Sequence, residues 1–204
     1  MKKKVLVVTA GIVHPSIKAR GCLKRSLRGN SEFEFDFRTG VENLSLLSSG
    51  DYSSAIIYLH RKNMSAGAFD ALRNFVSGGG GLIGLHSASA SFKDNEEYFN
   101  ILGGKFLSHE EVIEFPVKPE KDEDEIFSGI EEFKIKDELY IHEIRGEIEV
   151  HFYTEKNSEK VPVVWTKTYD NGRVCYIEPG HLASSIQNTG VKLLLDKALR
   201  WVTQ

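Results

Sequence analysis

Four consecutive glycines, Gly78 to Gly81, run into a short apolar stretch, Leu82-Ile83-Gly84-Leu85, which halts at His86 before the small residues Ser87-Ala88-Ser89-Ala90. This pattern predicts a strand, a sharp elbow and a helix start. Small residues on both sides let the chain reverse tightly, so that one side chain projects above the sheet edge. Hydrolases and amidotransferases place Ser or Cys at such an elbow. Here the residue is His86. Imidazole at that point favours metal ligation or proton transfer over acyl formation, and the positive end of a following helix would keep it neutral. A glycine-rich strand end with an incidental histidine is the plainer alternative.

The segments around the elbow fit the same architecture. Residues 5–9 form an unbroken apolar run, as expected of a strand covered on both faces. Residues 17–28 carry helical spacing and stop at Gly29-Asn30, and Phe33, Phe35 and Phe37 alternate with charged residues at period two. A buried strand over 52–59 is followed by a helix from Ser65 to Val76 and by the strand at 78–85. This βαβ order predicts an α/β fold with a doubly wound, mostly parallel sheet. The second half is less regular. A helix over 95–102 ends at Gly103-Gly104, strands are expected near 112–117, 133–136, 148–154, 161–167 and 173–177, and 190–202 is a closing amphipathic helix. The 204 residues suit one domain, 1–204, with no linker or repeat.

Composition narrows the partners. A net charge of −3 and the lack of a basic stripe with interleaved aromatics argue against nucleic acid. Cys22 and Cys175 sit in no ligand-spaced motif. The Lys2-Lys3-Lys4 start and its apolar run are too short for a signal peptide, and no stretch reaches membrane-spanning length, so a soluble cytoplasmic protein without a membrane partner is expected. The acidic run 120–125 reads as a solvated loop.

Functional side chains in a doubly wound fold gather at the carboxyl ends of the parallel strands. His14, His60, His86 and His181 fall there, and His109 follows a glycine-assisted bend; His60-Arg61-Lys62 reads as a solvated loop. Asp137-Glu138-Leu139-Tyr140 adds two carboxylates and a phenol beside an apolar strand. Buried without partners such acids are costly, so they face water or meet a cation. His86, His109, Glu138 and His181 are therefore expected to converge, either as ligands for Zn²⁺ or another divalent ion or as a metal-free acid–base set with His86, Glu138 and His181 catalytic. The sequence alone does not choose between the two.

The ordered set Leu85-His86-Ser87-Ala88, Leu102-Gly103-Gly104-Lys105-Phe106 with His109, Asp137-Glu138-Leu139-Tyr140, Val161-Pro162-Val163-Val164-Trp165 and Gly172-Arg173-Val174-Cys175-Tyr176 with Gly180-His181 resembles the trehalose-utilization (ThuA-like) family. The resemblance implies a flavodoxin-like core within the class I glutamine amidotransferase-like superfamily. It implies that His86 stands where true glutaminases hold their catalytic Cys, so the triad is incomplete and no glutaminase activity is expected. The substrate class it implies is a sugar, a disaccharide or an oxidised derivative, with His14, Tyr140 and Trp165 as contacts, Tyr140 and Trp165 being equally compatible with core packing. A homo-oligomer is compatible with this reading. The alternative is a non-catalytic module that binds a small ligand or a protein on the same fold.

Overall fold

The computed structural model of the chain describes residues 2–11 and 15–204, so the expected contact His14 lies outside the described residues. Strands β1 (Lys3–Ala10), β2 (Phe33–Thr39), β3 (Ser54–Leu59) and β4 (Gly81–Leu85) alternate with helices α1 (Ile17–Leu27) and α2 (Ala66–Ser77). Each helix starts where a serine hydroxyl accepts the orphan N–H three residues on: Ser16 from Ala19 and Ser65 from Ala68. After β4 come helix α3 (Glu96–Leu102), strands β5 (Gly104–His109), β6 (Ile113–Pro119), β7 (Phe133–Asp137), β8 (Tyr140–Ile144), β9 (Glu149–Lys156), β10 (Glu159–Tyr169) and β11 (Gly172–Ile177), and helices α4 (Ala183–Gln187) and α5 (Thr189–Val202).

The described residues build a nine-stranded sheet in the order β2-β1-β3-β4-β11-β10-β9-β6-β7. The first five strands are parallel and form the doubly wound core; β10, β9, β6 and β7 extend it antiparallel. Strand periodicity divides the interior in two. Val5 and Val7 of β1, Ile56 and Tyr58 of β3, and Cys175 and Ile177 of β11 pack on the face covered by α1 and α5. Leu6, Val8, Ala55, Ile57, Val174 and Tyr176 pack on the opposite face, under α2 and α3. Both faces of the central strands are buried, which is why these strands read as continuous apolar runs. Each such Val, Ile or Leu contributes roughly 1.5–3 kcal/mol by leaving water. Among the described residues no helix is long and apolar enough to cross a membrane.

Two features of the second half position the site. The β5–β8 ribbon is a separate antiparallel pair in which His109 is registered with Tyr140 and Phe106 with His142. The end of β7 is tied to the last helices by Ser185 Oγ, which donates to the Lys136 carbonyl at 3.1 Å, and by Asn188 Nδ2, which donates to that of Lys134 at 3.0 Å. The segment after β7 is thereby carried to the carboxyl ends of β4 and β11.

Trp165 does not take the place expected of a sugar contact. It is 0% exposed, stacks on Tyr176 with ring centroids 4.2 Å apart and donates its indole N–H to the Leu102 carbonyl at 3.0 Å. A ring closed in on every side and already hydrogen-bonded serves packing, so Trp165 is a core residue.

Candidate functional site

His86 is the first residue after β4 and adopts φ 41°, in the left-handed region that a non-glycine residue rarely occupies. The strain belongs to the elbow: the strand stops, one 3₁₀ segment over His86–Ala90 begins, and the imidazole is thrown to the sheet edge. The expected helix is only this five-residue turn, which offers no extended helix dipole to set the ring's state. A hydrogen bond sets its tautomer. His86 Nδ1 lies 2.9 Å from the Glu178 carbonyl, which can only accept, so Nδ1 carries the proton. In the neutral ring Nε2 then holds the lone pair. It is fully buried, has no hydrogen-bond partner among the described residues, and stands 3.7 Å from Glu138 Oε2.

His181 reaches the same centre from the turn after β11, its Nδ1 being 3.1 Å from Glu138 Oε2. Two devices hold that turn. Asp137, at the end of β7 and wholly buried, accepts through Oδ2 from the backbone N–H groups of Gly180 at 2.7 Å and His181 at 3.2 Å, and through Oδ1 from that of Glu138 at 2.9 Å. Gly180 itself lies so close to the elbow that a Cβ there would meet His86 Cβ at 2.8 Å. Tyr58 donates its hydroxyl to the Gly180 carbonyl from the neighbouring strand.

His86, Glu138 and His181 thus come together: one ligand atom from each lies within 4.8 Å of the others. His109 is near but outside this group. Its side chain is 46% exposed, with Nδ1 3.8 Å from Glu138 Oε1 and hydrogen-bonded to the Glu110 carbonyl at 2.8 Å, so it forms the rim rather than a fourth inner ligand. Tyr140 is a wall of the site, its ring centroid 4.1 Å from that of His86 and 4.4 Å from that of Phe106.

Electrostatics separate the roles. Burial raises the Glu138 pKa, but the surrounding imidazoles of His86, His181 and His109 outweigh it and leave the carboxyl below its ordinary value. His181 is moved down, first by burial, with Glu138 opposing. At neutral pH the centre therefore combines a carboxylate with a neutral His181 imidazole. Glu178 behaves in the opposite way: buried completely and close to Asp137, it is held well above the usual carboxylate range and stays a neutral acid. Its Oε1 accepts the Tyr140 N–H at 3.0 Å, which fastens the β5–β8 ribbon to the strand that carries His181.

Sequence reasoning did not assign a part to Asp137, Glu178 or the group beneath the elbow. In that group Tyr176 donates to the His86 carbonyl at 2.7 Å, and Ser89 Oγ lies 2.8 Å from the Tyr176 hydroxyl and 3.0 Å from His142 Nε2. The signal for Asp137 and Glu178 was present in Asp137-Glu138 and Glu178-Pro179-Gly180-His181, but adjacent residues face opposite ways at a strand end, and spacing does not say which carboxylate faces in.

Comparison with known proteins bears on the fold and the family. Residues 4–202 match the profile of the ThuA family, described as trehalose utilisation. A protein described as ThuA-like from Parabacteroides merdae superposes with a TM-score of 0.89 at 18% identity, covering 100% of this chain and 91% of its own. Another described in the same way from Bacteroides uniformis gives 0.82 at 20% identity over 98% of this chain and 91% of its own. A β-galactosidase from Bacillus circulans gives 0.65 at 13% identity, with 94% of this chain lying on 31% of that enzyme. At these identities the likeness is one of fold. No curated protein matches the chain. With the profile spanning nearly the whole length and the fold matching throughout, the chain belongs to the ThuA family.

Proposed function

We propose that the protein processes a sugar or sugar derivative at a divalent-ion site formed by His86, Glu138 and His181. One observation carries the reading: the buried Nε2 of His86, its lone pair directed by the Nδ1–H bond to Glu178, faces the Glu138 carboxylate at 3.7 Å, too far for a direct hydrogen bond. Two electron-rich atoms so placed repel unless a proton or a cation lies between. A metal-bound histidine normally donates its other N–H to a carbonyl or carboxylate, as His86 does to Glu178. Tetrahedral Zn²⁺ with bonds of about 2.0–2.1 Å puts neighbouring ligand atoms about 3.3 Å apart. The separations of 3.1 and 3.7 Å from Glu138 Oε2 to the two imidazoles bracket that value.

Zn²⁺ or a similar ion held by these three residues would supply Lewis acidity toward a sugar oxygen. The chain supplies the rest. Phe106, half-buried and backed by the buried ring of Tyr140, offers ring surface to the substrate, and His109, half exposed beside Glu138, is placed to exchange a proton with bulk water. Without a metal the same residues form an acid–base centre in which the neutral His181 imidazole accepts a proton and the Glu138 carboxylate stabilises the cation that forms.

Zinc titration of the metal-free protein tests the site. One equivalent is expected, with affinity reduced at least tenfold in Glu138→Gln and in His181→Ala. Absence of zinc binding would leave the acid–base centre alone. Saturation-transfer NMR with trehalose, D-glucose and D-glucuronate, with and without zinc, tests the substrate class; no transfer to any of the three in either state would overturn it.

A further inference from the structure

We propose that the substrate is anionic, its carboxylate or phosphate held in a cationic cavity formed by Arg61, Lys62 and Lys93 beside the His86 elbow. This deepens the proposed function and rests on it for the position of the reacting end. The cavity, about 520 Å³, is lined by His60, Arg61, Lys62, Ala90, Lys93 and Asp94 at the carboxyl end of β3. The solvated loop expected at His60-Arg61-Lys62 is thus the wall of a concavity.

Three observations join it to the site. The loop and the elbow are fastened together by Ser91. Its hydroxyl accepts from the Arg61 N–H at 3.2 Å and lies 2.9 and 3.0 Å from the Leu59 and Ser87 carbonyls, while the Phe92 N–H donates to the Arg61 carbonyl at 2.9 Å. Arg61 is therefore held in register with the residue that follows His86. Rings complete the link on the other side. Lys93 Nζ is 5.6 Å from the centroid of Phe106, which packs on Tyr140, which packs on His86. The third observation is charge. Arg61, Lys62 and Lys93 form no ion pair among the described residues, and Asp94 is the one acid among the lining residues. The positive field reaches His60, which burial first, and then the charges of Lys93, His86 and Arg61, hold below its ordinary value.

Unneutralised cations around a cavity are available to a ligand without first breaking an internal pair, and charge-assisted contacts to carboxylate or phosphate are the stronger class of hydrogen bond. A sugar with an acid at one end would place that end on Arg61 and the two lysines while its hydroxyls or carbonyl reach Glu138.

The test is calorimetric titration of the protein with D-glucuronate, D-glucose 6-phosphate and D-glucose at low and moderate salt. At least one anion is expected to bind tenfold or more tightly than glucose, the margin shrinking with salt and falling below about threefold in the double variant Lys62→Gln/Lys93→Gln and in Arg61→Gln. A better fit of glucuronate assigns the cavity to a carboxylate, and of the phosphate to a phosphoryl group. Equal affinity for all three, no binding of either anion, or a preference that survives both variants would overturn the proposal. Zinc titration of the same proteins keeps the two readings apart. Zinc bound without anion preference overturns the cationic cavity alone. An anion preference lost in the variants of a protein that binds no zinc upholds the cavity and overturns the metal site.

Discussion

Asp137 holds His181 through the backbone: a single carboxylate oxygen, Oδ2, accepts the N–H groups of Gly180 and His181, at 2.7 and 3.2 Å. The neighbouring Glu138 points into the site, so two adjacent acids divide structure from chemistry. In Asp137→Asn an amide of the same shape must present its NH₂ to one set of backbone donors. The expected cost is about 1–3 kcal/mol of stability, from the buried donors left without an acceptor. Zinc affinity should fall with it, although Asp137 supplies no ligand. Urea unfolding and zinc titration check both; unchanged zinc affinity would detach Asp137 from the positioning of His181.

Gly180→Ala should disturb the elbow directly. The added Cβ would meet His86 Cβ at 2.8 Å, and neither atom can rotate away. Relief requires the elbow and the turn after β11 to separate, at roughly 1–3 kcal/mol. Thermal unfolding should report the loss, together with weaker zinc binding. A variant as stable as the parent with unaltered zinc affinity would show that the approach is not needed.

How far the sequence disclosed this arrangement depends on the kind of signal. His86, Glu138 and His181 each lie at or next to a strand end, His181 directly after Gly180 and His86 two residues after Gly84, and the parallel topology draws such positions to one edge. The β5–β8 ribbon was not legible as a ribbon. Its register shifts between Phe106 and Ser108, and β8 is only five residues long, too short to display a period against the charged residues around it. Trp165 was ambiguous for another reason. Residues 163–166 of β10 are buried in succession, so alternation cannot tell an inward from an outward aromatic there.

His142 should make acid stability steeper than its surface neighbours do. Burial, and to a lesser degree the charge of His86, lowers its pKa from 6.5 to about 3. The unfolded chain therefore takes up a proton near pH 6.5 that the native fold refuses until about pH 3. The stability contributed by the neutral ring is present above the unfolded pKa and lost as pH falls below it, at up to about 1.4 kcal/mol per pH unit. In His142→Gln the drop in unfolding free energy between pH 7 and pH 5 should be smaller by up to about 2 kcal/mol. Equal drops in both proteins would exclude His142 as the source.

Trp165→Phe separates core from substrate contact. The substitution removes the indole N–H that serves the buried Leu102 carbonyl and leaves space beside Gly104, for a combined loss of about 1–3 kcal/mol. Binding of D-glucuronate or D-glucose 6-phosphate should be unchanged at a temperature where the variant is folded. Loss of sugar binding without loss of stability would return Trp165 to the site.

The protein should not release ammonia from glutamine. That reaction needs a thiolate at the elbow to form an acyl-enzyme, and the elbow holds His86. The free cysteines cannot substitute. Both are buried; Cys175 lies within β11, registered with Ile83, and burial pushes its thiol far above the range in which a nucleophile works. His86→Cys is expected to remain inactive as well. A thiol at this position would also need a base matched to it and donors aimed at the oxyanion, and the substitution supplies neither. Coupled measurement of ammonia with glutamine as substrate checks both proteins, and iodoacetamide mass labelling should leave Cys175 unmodified until the chain is unfolded. Ammonia release by the parent protein that disappears in His86→Ala would show that imidazole at this elbow does nucleophilic work after all.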